Sequence, residues 1–122
     1  MTTPPGHLVL NLISDREPNI AKALRFGKRF LAGGWDVTLS INVDGVVLLD
    51  PGARLGPCPV TGKPLRAILD EFMEEGGRVL VGPECLKLAG LGPDCLAGSM
   101  VPADPALWQE LLTRPGTVVF TY

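Results

Sequence analysis

Glycine punctuates this chain, and that punctuation limits its fold more than any other feature. Gly33-Gly34 and Gly76-Gly77 each close a stretch of apolar residues at helical spacing, and a short apolar run follows each pair. Ile20, Ala23, Leu24, Gly27, Phe30 and Leu31 form the first helical stripe, with Asn19 as its N-cap; Leu65, Ile68, Leu69, Phe72 and Met73 form the second, with Pro64 in its first turn. Residues 7–13 read as the first strand. Residues 35–43 alternate Val37, Leu39, Ile41 and Val43 with Asp36, Thr38, Ser40 and Asn42, which predicts a strand with one more accessible face. Asp44-Gly45 turns the chain, and residues 46–49 read equally as a strand extension or as a packed turn into a short helix.

Residues 78–81 predict a third strand, Met100-Val101 a fourth and residues 117–122 a last one. Before that last strand, a helix opens at Asp104-Pro105 and carries Leu107, Trp108, Leu111 and Leu112. Residues 50–64, DPGARLGPCPVTGKP, hold four prolines and three glycines and read as an irregular surface excursion. Strand and helix thus alternate nearly throughout. The fold class is α/β, an open, mainly parallel sheet of about five strands with helices on both sides. With 122 residues, 46% of them hydrophobic and 20% charged, the chain makes one domain over residues 1–122.

A formal net charge of -2, with basic residues scattered, argues against nucleic acid as a partner. The opening MTTPPGHLVLNLIS has no Lys or Arg before an apolar run too short to cross a membrane, so a soluble cytoplasmic protein is expected. The three cysteines cannot all pair within one chain, and at least one free thiol follows.

The only histidine, His7, opens the first strand, so the chain lacks the parts for a histidine-based metal site or a Ser-His-Asp arrangement; it reads as a satisfied structural residue. Cysteine spacings of twenty-six and nine intervening residues are not those of a zinc ribbon, and there is no phosphate-binding glycine signature. No metal or organic cofactor is expected. Cys85, in VGPECLKLAG, stands apart. With Pro83 as the first helical residue, Cys85 is third, where unpaired N–H groups and the helix dipole favour a thiolate, although Glu84 opposes it. The plainer alternative is a small buried residue packing that helix on the sheet.

Cys58 reads as an exposed loop cysteine and Cys95 as a packed one. Ser14, Asp15, Arg16, Glu17 and Asp44 fall with Gly82 and Cys85 beyond the carboxyl ends of strands, where ligand sites lie in such sheets; the charged ones are equally ordinary solvated loop residues.

Taken in order, LVLNLISDREPNIAKALRFGKRFLAGGWDVTLSINVDGVVLL, ILDEFMEEGGRVLVGPECLKLAGL and the terminal VVFTY resemble the DsrE/DsrF-like family of small sulfur-relay subunits, over residues 8–122. The resemblance implies a three-layer α/β/α fold and a homo-oligomer, trimeric or hexameric with a dimer as the smaller option. It also implies a cysteine after this strand that accepts sulfane sulfur as a persulfide and passes it to a partner, with no metal or organic cofactor. Many relatives carry Cys-Pro-x-Cys at this turn; here the first of those positions is Gly82 and the last is Cys85.

The leading expectation is therefore a sulfur carrier using Cys85, with backbone N–H groups around Cys85 and Leu86 holding the anion, Ser14, Asp44 and Gly82 lining the site, and sulfur donor and acceptor proteins as partners. One alternative is an oligomeric binding or scaffold protein of the same fold without covalent chemistry. Another is a thiol redox sensor pairing Cys58 with Cys85, which requires their Cα atoms within about 7 Å.

Overall fold

The structure, a computed structural model, describes residues 3–122. Five parallel strands form one sheet: β1 (His7–Leu12), β2 (Asp36–Ile41), β3 (Arg78–Val81), β4 (Met100–Pro102) and β5 (Thr117–Thr121), in the order β4-β3-β2-β1-β5. The chain adds β2, β3 and β4 successively on one side of β1 and returns to place β5 on the other. Right-handed crossovers therefore put α1 (Glu17–Ala32), α2 (Leu65–Glu74) and α3 (Pro83–Leu88) on one face and α4 (Pro105–Leu112) on the opposite one. This is the expected α/β/α sandwich.

The two faces differ in chemistry. Leu8, Leu10 and Leu12 of β1 stand level with Val37, Leu39 and Ile41 of β2, and together with Val79 and Val81 they meet Ile20 and Leu24 of α1 and Ile68, Leu69 and Phe72 of α2 in the main core. The α4 face is polar at its centre. His7 Nε2 lies 3.0 Å from Thr38 Oγ1 and Nδ1 lies 3.2 Å from Thr117 Oγ1, so the buried imidazole is satisfied on both sides.

Burial, with Arg114 and Arg78 nearby, outweighs Asp36 and holds the His7 pKa below its ordinary value of 6.5. A histidine that binds its proton less readily when folded contributes full stability above about pH 6.5 and loses it as pH falls toward the folded pKa. Glu17 and Glu71, whose pKa values are also lowered, begin to cost stability only below their ordinary 4.5. The thermal midpoint should thus fall between about pH 6.5 and 5 in the wild type and stay nearly flat in His7→Gln. An equal slope in both proteins would refute this account.

Three local expectations need correction. Helix α1 begins at Glu17 with Arg16 as its N-cap, not at Asn19, because Pro18 sits in the first turn, where a missing N–H is no loss. Strand β2 spans Asp36–Ile41 and has no wet face; Thr38 and Ser40 are fully buried, sheltered by the opposite layer and hydrogen-bonded to His7 and Asn42. Cys58 is not exposed but 1% accessible. Its excursion is tied inward, with Glu17 Oε1 accepting from the Gly56 N–H (3.1 Å) and the Arg66 guanidinium donating to the carbonyls of Leu48 (3.1 Å) and Ala53 (3.2 Å). The undecided residues 46–49 belong to a 3-10 helix, Val43–Leu49. Among the described residues no helix is long and apolar enough to cross a membrane.

Candidate functional site

Three strand ends build the site, each tied to its neighbour by one hydrogen bond that continues the ladder. Asn42 N–H donates to Leu12 O (2.9 Å) past the ends of β2 and β1, and Gly82 N–H donates to Ile41 O (3.0 Å) past the ends of β3 and β2. The segment after β2 must then bend across the end of β1. At Gly45 the approach is so close that a Cβ would lie 2.4 Å from the Leu12 carbonyl oxygen, so only glycine fits. Just before it, Val43 is held at φ 51°, a left-handed conformation that a β-branched residue adopts at a cost of about 1–3 kcal/mol.

That strained bend aims a donor at the thiol. Val43 N–H donates to Cys85 Sγ at 3.1 Å. Cys85 is half-buried in the first turn of α3, after Gly82 as N-cap and Pro83 at the first helical position, as the sequence predicts. A backbone N–H directed at sulfur stabilises negative charge on it, whether a thiolate or an attached persulfide. Above the thiol opens a cavity of about 420 Å³. Asp15 follows β1, Val43, Asp44 and Asp50 come from the bend and the 3-10 helix, and Leu88 stands with Cys85 on α3.

The expected site residues divide. Asp44 and Cys85 line the cavity, and Gly82 lies beneath the thiol, its would-be Cβ 3.3 Å from Cys85 Sγ. Ser14 is beside the site without lining it, its hydroxyl accepting from the Arg16 N–H (3.1 Å). Leu86 is a correction: its side chain is buried in the core and its N–H donates to Gly82 O (3.1 Å), because the first helical hydrogen bond uses it. Glu17 turns to the Gly56 N–H, and bonds from that group and from its own backbone hold its carboxyl pKa below 4.5.

Two neighbours of the thiol escaped the sequence reading. One is Val43. The other is Asn42, whose amide donates to Asn11 Oδ1 (2.9 Å) and Ser40 Oγ (2.6 Å) while its Oδ1 occupies the space beside Gly82. NVDGV was the available signal, but it pointed to the aspartate and the turn, not to the residue whose N–H reaches sulfur.

All three cysteines are free thiols. Cys58 packs in the core, outside the cavity wall. Burial alone raises its thiol pKa, but the Thr61 hydroxyl, the N–H groups of Thr61 and Val60, and Arg25 together hold it below its ordinary value. Cys95 is half-buried against the core, as expected. Among the described residues, no group of three or more His, Cys, Asp or Glu side chains is arranged to hold a metal ion.

Two solved structures share the fold. A protein of unknown function, MTH1491 from Methanobacterium thermoautotrophicum, superposes with a TM-score of 0.73 at 14% identity, covering 96% of this chain and 99% of its own. The ychN protein from E. coli gives 0.71 at 17% identity, covering 97% and 100%. A scan against protein-family models and a search of curated proteins gave no match.

Proposed function

We propose that this chain is a DsrE/DsrF-like protein that carries sulfane sulfur on Cys85. The observation that carries the reading is the Val43 N–H held on Cys85 Sγ by a strained backbone, at the wall of an open cavity beyond the ends of a parallel sheet. The Cys85 thiolate attacks the outer sulfur of a donor persulfide R–S–SH. The Sγ–S bond forms, the donor S–S bond breaks, and the donor leaves as a thiolate that takes a proton from water; no net oxidation occurs. An acceptor thiolate then repeats the step on Cys85–S–SH and restores the free cysteine. Val43 N–H stabilises charge on Sγ when it attacks as a thiolate and again when it leaves toward the acceptor, in the role first given to the N–H groups around Cys85 and Leu86.

The carrier is further proposed to work as a homo-oligomer, a trimer or hexamer with a dimer as the smaller option. Supporting this, edge strand β5 exposes Val118, Val119 and Phe120, and α4 leaves Leu112 exposed, so the thin outer layer does not cover the sheet edge.

Intact-mass spectrometry after exposure of the reduced protein to polysulfide in about 1 M salt, which screens the donor's charge, tests the reading. The wild type should gain the mass of one sulfur atom, reversibly with a thiol reductant. Cys58→Ser and Cys95→Ser should keep that gain and Cys85→Ser should lose it; the same samples under native conditions should fly as oligomers. A gain that follows Cys58 would move the chemistry to the core thiol and sink the proposal. An unmodified wild type would favour the second reading, a binding protein whose apolar cavity holds a ligand without covalent chemistry. Gly82 in place of a second cysteine and the absence of a histidine from the cavity wall favour that reading.

A further inference from the structure

We infer that the cavity over Cys85 selects partners by charge, admitting a basic, partly apolar polypeptide segment and disfavouring anionic sulfur donors. The inference deepens the carrier reading by naming the kind of molecule that reaches the thiol. Apart from Cys85, the ionisable residues lining the cavity are Asp15, Asp44 and Asp50, and no Lys, Arg or His lines it. Among the described residues none of the three aspartates forms an ion pair. The Asp50 carboxylate accepts the Gly52 N–H (2.9 Å), while its backbone carbonyl accepts from the Arg66 guanidinium (2.5 Å).

The Arg66 guanidinium donates to the carbonyls of Leu48, Asp50 and Ala53 and so offsets Asp50 in part, whereas Lys87 lies 3.4 Å from Glu84 and no cation is bonded to Asp15 or Asp44 among the described residues. The remainder of the cavity wall is aliphatic, and it exposes Val43 and Leu88, the latter 90% accessible. Asp15 and Asp44, with Asp50 partly offset by Arg66, stand around a low-dielectric wall and focus a negative potential on the path to the sulfur. An anionic persulfide or thiosulfate meets that potential with no counter-cation. A segment with Lys or Arg flanking apolar residues meets carboxylates and an apolar collar together, which is complementarity to a protein chain more than to a small ion.

Two pentapeptides test this on the full-length wild type, Lys-Leu-Cys-Leu-Lys and Glu-Leu-Cys-Leu-Glu, each activated as a 2-pyridyl disulfide. Cys85 thiolate attack forms the mixed disulfide and releases pyridine-2-thione, read by absorbance, with the adduct located by mass against Cys85→Ser. Rates are divided by those of each peptide with free mercaptoethanol, to remove intrinsic reactivity.

The lysine peptide should react at least about tenfold faster than the glutamate peptide at low salt. The ratio should collapse toward one at about 1 M salt, where the Debye length is about 3 Å. It should also collapse in Asp15→Asn/Asp44→Asn, both exposed positions. Replacing the peptide leucines with glycine should slow the lysine peptide severalfold. A normalised ratio near one in the wild type at low salt, a salt-independent ratio, or no adduct on Cys85 with either peptide each overturns the inference, and none depends on the variants folding. Failure of the carrier reading is separable. Charge discrimination without sulfur uptake from polysulfide in about 1 M salt, where its charge is screened, sinks the carrier alone, and sulfur uptake without discrimination sinks this inference alone.

Discussion

Gly82→Cys is expected to close a disulfide onto Cys85 under mild oxidation and to abolish sulfur loading. A Cβ built on Gly82 lies 3.6 Å from Cys85 Cβ and 3.3 Å from its Sγ. Disulfides span Cβ separations of about 3.5–4.5 Å, so this pair needs no large backbone movement. The obstacle is Asn42 Oδ1, 2.7 Å from the new Cβ, on a side chain that can rotate only by giving up its bonds to Asn11 and Ser40. That costs about 1–3 kcal/mol, which oxidation under ordinary aerobic conditions can outweigh. Intact mass should show the loss of two hydrogens and one fewer alkylatable thiol. Persistence of both thiols after oxidation would show that Asn42 closes the space. In the natural chain, glycine leaves Cys85 without a thiol beside it, so in the proposed carrier a persulfide on Cys85 would be released by an incoming molecule and not by its own chain.

Gly45→Ala should destabilise the protein by about 2–4 kcal/mol and detach the donor from the sulfur. The new methyl would meet Leu12 O at 2.4 Å and Leu12 C at 3.0 Å, both backbone atoms that no rotamer change can move. The bend after β2 and the end of β1 must separate. That strains the Asn42 N–H bond to Leu12 O and the Gly45 N–H bond to Asn42 O, each 2.9 Å, and with them the position of the Val43 N–H. A fall in thermal midpoint of about 10 °C or more is the expected readout. Gly52→Ala is the control, since its Cβ would touch only Asp50 Oδ1 at 3.4 Å, and it should stay within about 0.5 kcal/mol of wild type. Equal midpoints for Gly45→Ala and wild type would mean the close approach is not rigid.

The sheet was legible because the information for it is local. The apolar runs that became β1 and β3, the glycine pairs that end α1 and α2, and Gly82-Pro83 ahead of α3 each specify their element from a few neighbouring residues. What escaped depends on distant partners. Thr38 and Ser40 look solvated in sequence, and only β5, 110 positions from His7 at the Thr117 contact, and the α4 layer make them interior. Cys58 reads as a loop residue until Glu17 and Arg66, on either side in the chain, draw its loop onto the core. The site divides the same way. Gly-Pro placed Cys85 at a helix start, whereas nothing in a valine announces a positive φ, so the Val43 donor was invisible before the three strand ends were assembled.

Those strand ends have a consequence for motion. Because the residues after β1, β2 and β3 are joined by hydrogen bonds that extend the sheet ladder, the seat of the sulfur belongs to the same cooperative unit as the sheet centre. Displacing the strand ends under the thiol then means breaking bonds of the sheet's own ladder, which costs more than the breathing of an untethered loop. Such a seat yields little to an approaching molecule, which must bring itself into line with the Cys85 sulfur. In the proposed carrier role, transfer would then be governed by how well each visitor docks and departs, and the flexible element of the encounter would lie on the visitor's side.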